Sequence, residues 1–265
     1  GAVSPEMPGV TVPYEAFPGS IGVMPGNPEI DKILEREANL AGAGGAVLTP
    51  SGPGALPADL CGEGGTEESR CLRTIPPREN GGNMDVQQQQ IGTRMLFPCF
   101  IDGCGLFVGD VHYAQGDGEV SGTAIEMGSV TTLRVVKIHP GKAKDLSMPA
   151  TKGNDQIIDM EPTRYYQTVG IPLKGVGEVP PTHQYLTGTK IENLANSNED
   201  LSIAARHALM QMIDYLTDEH GLTREQAYIL SSVAVDLRVG QVVDIPNYVV
   251  TATLNLDVFD KCRHY

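Results

Sequence analysis

The chain of 265 residues contains no tryptophan, and aromatic residues make up only 5% of it. A core without large rings must be filled by Val, Ile, Leu, Ala and Met. Positive charge is scarce as well: 19 Lys and Arg face 33 Asp and Glu, giving a formal net charge of −14. Such a surface repels phosphate backbones and argues against nucleic acid as a partner. No apolar run of about 18 residues occurs, so no membrane-spanning helix is expected. Several catalytic signatures are missing too. There is no G-x-S-x-G elbow, no Walker loop, and no G-x-G-x-x-G set between a strand and a helix. Hydrolases built on that elbow, P-loop enzymes and dinucleotide-binding folds are left without support.

What the chain has in quantity is glycine (31) and proline (19). Nearly a fifth of the residues thus favour turns, which points to a largely β structure rather than a helix bundle. The length suits one large domain with a sizeable core. The expected class is α+β and β-rich, a sandwich- or barrel-like core with two or three flanking helices. Five cysteines at irregular spacing read as free thiols of a cytoplasmic protein. Cys61 and Cys71, in a polar Gly-rich loop, also admit a metal or redox role. The opening "GAVSPEMPGVTVPYEAFPG" is neither a Met start nor a basic-then-apolar leader. A processed product, a tag remnant or one part of a larger protein are the expectations it raises.

The organisation read from the sequence is a single domain over 1–265. Residues 1–30 form an extended arm punctuated by Pro and Gly. "PEIDKILEREANLAG" predicts a short helix with Ile30, Ile33, Leu34 and Ala38 on one face, ended by Gly42 or Gly44. Residues 42–82 read as a long loop, and residues 84–180 as the β core. Within that core, "TRMLFPCFI", "CGLFVGDVHY" and "SVTTLRVVKIH" predict strands, and "GNDQIIDMEPTRYYQTVGIP" a strand pair. Residues 197–236 predict a helix pair. Ser197 caps the first helix, whose apolar face runs from Leu201 through Ala208 to Leu216, and Gly221 closes it. Thr223 caps the second, with Gln226 completing a capping box. Residues 237–265 make a strand-rich tail.

Three stretches can carry chemistry. In "GDVHYAQGDGEVSGTAIE", Asp110 and His112 are two apart, so a strand presents both on one face. That pair can ligate zinc or a similar divalent ion, given a third ligand. Gln115 and Asp117 follow in a turn eased by Gly116 and Gly118. Glu119 begins the return strand, where a hairpin brings it back toward His112 as third ligand or general base. A solvated polar hairpin is the plain alternative. In "RENGGNMD", Gly81-Gly82 can present backbone N–H groups to an oxyanion, or simply turn the chain before a strand. In "AVDLRVGQVVDIPN", Asp236 and Arg238 share a strand face and either pair or reach a cleft, with Gln241 nearby. The five other histidines are isolated and read as surface or helix-end residues; His220 suits a helix C-terminus.

These same segments resemble the acetamidase/formamidase family. Its members carry G-G-N-M-D, then G-D-x-H-x-x-Q-G-D-G-E-x-x-G-T-A-I-E, then V-D-x-R-x-x-Q-V-V-D. "ENGGNMD", "GDVHYAQGDGEVSGTAIE" and "AVDLRVGQVVDIPNYVV" match in that order. "FPGSIGVMPG" is similar to the family's P-G-x-x-G-v-x-P segment. The resemblance covers essentially the whole chain, which corresponds to the C-terminal two-thirds of a family member. It implies hydrolysis of a short aliphatic amide, of formamide or acetamide type, to a carboxylate and ammonia by a metal-activated water. At the matching positions it implies Asp110, His112 and Glu119 as ligands of a divalent metal, expected to be zinc. Glu119, Asp117 and Asp85 become the acid–base residues. Asn83, Gln115, Gly81 and Gly82 become the substrate-binding residues, with Glu126 a further candidate. Only 17 residues precede Pro18, fewer than the family carries there. A separate N-terminal partner chain and a homo- or hetero-oligomer are therefore expected. A non-catalytic assembly or small-molecule-binding subunit is the alternative.

Overall fold

The strongest periodicity in the sequence becomes a 20-residue helix, α4 (Leu201–His220), in the computed structural model. The described residues are 1–45, 47, 55–136, 146–174, 196–197, 200–244 and 247–259. Ala204, Ala208, Met212, Ile213 and Leu216 of α4 are buried, as the spacing predicts. Gly221 ends the helix in the left-handed conformation at φ 66°. The N-cap, however, is Asp200, whose side chain accepts the Ser202 N–H. The expected cap, Ser197, lies instead in strand β11 (Asn196–Ser197), paired with β10 (Leu173–Lys174). Backbone pairing there fixes the chain as extended three residues too early for a cap. Helix α5 (Arg224–Ala234) carries the full capping box of Thr223 and Gln226. Its buried residues are Ala227, Leu230, Ser231, Ser232 and Val233.

The chain is organised as two compact units. The first comprises Gly1–Phe17, His112–Met127 and Asp155–Tyr265; the second comprises Pro18–Val111 and Gly128–Asn154. In the first unit, an antiparallel sheet runs β12 (Val235–Gln241), β13 (Val249–Asn255), β9 (Tyr165–Gly170). Helices α4 and α5 supply Ala208, Met212, Leu216 and Leu230 to a core shared with Val235, Ala252 and Leu254 of the sheet. Apolar burial of this kind is the main stabilising term. Gly170 lets α4 approach β9 closely, for a Cβ there would lie 1.9 Å from the Ala204 carbonyl oxygen. The arm contributes a small ladder, β1 (Ala2–Val3) with β2 (Thr11–Val12), and Val10 bridges to Phe259 beyond a 3-10 turn at Leu256–Val258. The end of β6 (Phe107–Ala114) pairs with β7 (Ile125–Glu126). Where a strand pair was expected over 153–172, only β9 forms; Gln156–Asp159 is a helical turn, α3.

In the second unit, β3 (Phe17–Gly22) pairs antiparallel with β4 (Gly81–Asn83). β5 (Arg94–Leu96) pairs with β8 (Ala150–Lys152). Helix α1 (Asn27–Gly42) buries Ile33, while Ala38 is exposed. Its neighbouring position Glu37 is half-buried and ion-paired to Arg78. The loop over 42–82 contains a helical turn, α2 (Ala58–Cys61), and a 3-10 turn at Glu68–Arg70. Backbone bonds from Thr66 to Asp59 and from Glu67 to Leu60 fold it back on itself. That fold brings Cys61 and Cys71 into a disulfide, and Cys99 pairs with Cys104. The free-thiol reading is thereby corrected, and with it the cysteine argument for a cytoplasmic location; Cys262 lies outside the described residues. The strand expected at 129–139 is not formed over 129–136, where Val130 is 97% exposed. Alternation describes how an extended segment would present its faces, but a strand also needs a ladder partner. Residues 137–139 lie outside the described residues. No described helix is long and apolar enough to cross a membrane.

Candidate active site

Strand β6 carries His112, which is buried at 1% exposure. Its ring meets the Phe17 ring edge-on, with centroids 5.1 Å apart. Nδ1 lies 2.9 Å from Gln115 Oε1. An amide oxygen can only accept, so this bond puts the proton on Nδ1 and leaves Nε2 as the nitrogen with a lone pair to offer. Gln115 is itself buried, at 2% exposure. Three residues of chain thus fix both the tautomer and the orientation of the imidazole.

The return strand starts later than the sequence suggested. Register places Glu126, not Glu119, opposite His112, with an irregularity between His112 and Ala114. Glu119 sits in the turn at φ 41°. Its carboxylate nevertheless comes within 4.8 Å of a His112 ring nitrogen, and so does that of Glu126. The turn therefore returns a carboxylate to His112 without a β ladder. The two carboxylates meet the imidazole in separate groupings, and an imidazole with a carboxylate inside that radius is the beginning of a donor set for zinc or another divalent cation.

The rest of the turn is held by its own unit. Glu119 N–H donates to the Gly116 carbonyl, and Gly122 N–H to that of Glu119. Asp117 N–H donates to Asp236 Oδ1 at 3.0 Å, and Leu237 N–H to the Asp117 carbonyl at 3.0 Å. Gly116 has no room for a side chain: a Cβ would lie 2.2 Å from the Val235 carbonyl oxygen. Asp236 also takes a 3.2 Å bond from Arg238, which pairs with Glu161. Of the readings left open for Asp236 and Arg238, pairing is the one realised. Gln241 closes the following turn, accepting from Val243 and Asp244 N–H.

In the second unit, Asn83 Nδ2 donates to Asp85 Oδ2 at 2.5 Å, and Ser20 Oγ donates to Asn83 Oδ1 at 2.8 Å. Met84 and Asp85 N–H both donate to the Gly19 carbonyl. Gly81 and Gly82 have φ of 90° and 112°. The Gly81 N–H is donated to the Arg78 carbonyl at 2.9 Å, so it is spent on the turn rather than aimed at an oxyanion. Cβ atoms at these two glycines would lie 2.4 Å from the Ile21 carbonyl oxygen and 2.7 Å from that of Thr74. Asp110 is exposed on β6, two positions before His112.

Backbone strain falls on the residues the motifs singled out. Among the described residues, four non-glycines have positive φ: Asp85 (52°), Cys104 (57°), Asp110 (53°) and Glu119 (41°). Such conformations cost free energy and gather at functional positions. Three of the four are carboxylates named from sequence.

One group went unnoticed in the sequence. Burial, with the Asp236 carboxylate adding to it, pushes the Glu15 carboxyl up to about 7. Glu15 lies in the arm, where its N–H donates to the Tyr113 carbonyl, one residue from His112. No local pattern marks it, because its neighbours come from distant segments. Of the other described histidines, His207 bonds the Ile171 carbonyl and His220 stacks on Phe259. His139, His183 and His264 lie outside the described residues.

Comparison with known proteins places this geometry in a class. The model of the acetamidase/formamidase family matches residues 1–261. The chain belongs to that family. It is 33% identical over 245 residues to the acetamidase of Mycolicibacterium smegmatis, covering 86% of this chain and 53% of that protein. With the formamidase of Methylophilus methylotrophus it shares 28% over 255 residues, 92% of this chain and 57% of the relative. The solved gamma lactamase from Delftia acidovorans superposes with a TM-score of 0.77 at 30% identity, covering 97% of this chain and 60% of that one. The chain thus spans a little over half the length of the relatives it matches.

Proposed function

We propose that this chain carries part of the catalytic site of an amide hydrolase that cleaves a short aliphatic amide to a carboxylate and ammonia. The carrying observation is the buried His112, oriented through Nδ1 by Gln115, with the Glu119 carboxylate within 4.8 Å. Membership of a family whose relatives are named acetamidase and formamidase supplies the reaction class.

In this reading His112 and Glu119 would be ligands of a divalent metal, zinc being well suited to nitrogen and oxygen donors. The buried imidazole fits that role, because a ligating histidine ordinarily donates its other N–H to a carbonyl or carboxylate, as His112 does to Gln115. When bound, such an ion polarises a carbonyl and lowers the pKa of water. The chain's own residues do the rest. Gln115 keeps Nε2 of His112 deprotonated and aimed. Glu119 accepts the proton of the attacking water and returns it to the departing nitrogen, since ammonia leaves only once protonated. Asp117 stands as a further acid–base group, and Gln115 as a polar contact for the amide.

A partner polypeptide supplying the family's N-terminal part, and an oligomer built from the pair, complete the proposal. The test uses the native protein with whatever chain co-purifies. Ammonia release is measured from formamide, acetamide and a small lactam, before and after chelation, and in H112A. Loss of release on both treatments is the expected result; release at the wild-type rate after both overturns the metal-assisted reading. Intact-mass measurement of the native complex reads the partner.

A further inference from the structure

Ser232 stands two positions before the last residue of α5 and is fully buried, at 0% exposure. Its neighbour Ser231, equally buried, donates its hydroxyl back to the Ala227 carbonyl of its own helix. That is the usual way a helical serine satisfies itself. Ser232 does something else. Its hydroxyl donates to the Thr123 carbonyl at 2.7 Å and accepts the Ser121 N–H at 3.1 Å. Its own carbonyl, among the last four of the helix and so lacking a helical partner, accepts the Gly116 N–H at 3.0 Å. One residue therefore pins both limbs of the arc that carries Glu119. One helical turn back, the Tyr228 hydroxyl donates to the carbonyl of Val120, the residue after Glu119.

Solvation does not require this arrangement. Thr123 is exposed and Ser121 half-buried, so this limb of the arc lies near water. What water cannot do is hold Glu119 in a left-handed conformation with its carboxylate beside His112. We propose that Ser232, assisted by Tyr228, is a positioning residue: α5 holds the 116–123 arc so that the Glu119 carboxylate stays at His112. This inference rests on the catalytic reading of Glu119.

The experiment compares S232A, Y228F and E119Q in the native, co-purified enzyme, with amide hydrolysis and thermal melting measured on each. S232A is expected to lower kcat about 10- to 100-fold, the scale of a displacement near 1 Å, with KM within about twofold. Y228F, which removes one oxygen from a half-exposed ring, is expected to lower kcat several-fold with an unchanged melting temperature. If S232A does not fold, Y228F decides. An inactive E119Q beside S232A and Y228F at wild-type kcat and KM overturns the positioning role alone. An E119Q at wild-type kcat overturns the catalytic reading, and the positioning role with it. A loss in S232A that scales only with the unfolded fraction, alongside a wild-type Y228F, also overturns it.

Discussion

His112 and Gln115, both buried, close a hydrogen bond of 2.9 Å between Nδ1 and Oε1 across three residues of chain. The bond sets which nitrogen carries the proton, so its loss acts on the other nitrogen. Q115L removes the acceptor at similar volume. If His112 ligates a metal as proposed, the protein's affinity for zinc should fall about 10- to 100-fold, the usual effect of losing a histidine's outer partner. Q115E, which keeps an acceptor, is expected to lose less. Calorimetric titration with zinc reads both, and equal affinity in all three proteins removes the orienting role.

Glu15 gives the first unit a pH dependence of definite sign. Its carboxyl titrates near 4.5 when unfolded and near 7 when folded, raised by burial and then by Asp236. The folded state therefore holds the proton more tightly. The contribution to stability is complete below about pH 4.5 and is lost as pH rises through about 7. E15Q keeps the shape and removes the charge. At about pH 8 it is expected to be more stable than wild type by on the order of 1 kcal/mol, after allowing for solvent at a half-buried group. At about pH 4.5 the two should coincide. Urea midpoints at both pH values decide it; a constant offset between the proteins contradicts the assignment.

The helix pair was legible because its signals are local. Thr223, Gln226 and Gly221 act within one turn of their own helix, and the Leu201–Leu216 stripe repeats at the helical period. The candidate site residues Asp110, His112, Gln115 and Glu119 were legible as one ordered motif. Their roles in the fold were less so. Glu119 was expected on a return strand, yet β7 begins only at Ile125. Turn length is set by Ser232, Asp236 and Val235, which stand more than a hundred residues away in sequence. Ser197 and the 129–136 segment failed for the same reason: whether a residue caps, pairs or stays single depends on which distant backbone reaches it. Glu15 is the extreme case, its character being made by Asp236 and by burial.

Gly170 marks where β9 meets α4. A Cβ there would lie 1.9 Å from the Ala204 carbonyl oxygen and 2.5 Å from the Ala208 nitrogen. Thr168, two residues earlier on the same face, donates to the Ala208 carbonyl at 2.7 Å and holds the helix in place. Backbone on both sides cannot yield as a side chain would. G170A is expected to cost about 3 kcal/mol, the upper end of overpacking effects. Chemical denaturation measures it, and a loss under about 0.5 kcal/mol, the ordinary surface value, shows that the helix moves freely.

The second unit ties α1 to the segment before Gly81 through two arginine–carboxylate pairs that differ in burial. Arg78 Nε bonds Glu37 at 2.7 Å, with side chains 6% and 16% exposed; its Nη1 also donates to the Arg73 carbonyl. Arg36 grips both Glu79 oxygens, at 2.5 and 3.0 Å, but is 54% exposed. Removing one partner of a buried pair strands the other charge, whereas an exposed pair gives its ions back to water. R78A is therefore expected to destabilise the protein by about 3 kcal/mol or more. R36A should cost only about 0–1 kcal/mol. The outer pair has its own pH signature. The hydrogen bond from Arg36 is the main cause that holds the Glu79 carboxyl down at about 2, below its usual 4.5. Its contribution is present above about pH 4.5 and disappears as pH falls through about 2. Guanidinium titrations are unsuitable because that salt screens the outer pair; urea at low and at high salt separates the two. Salt should weaken the Arg36 contribution and leave that of Arg78 nearly unchanged, and equal losses from both variants would show that burial does not set their worth.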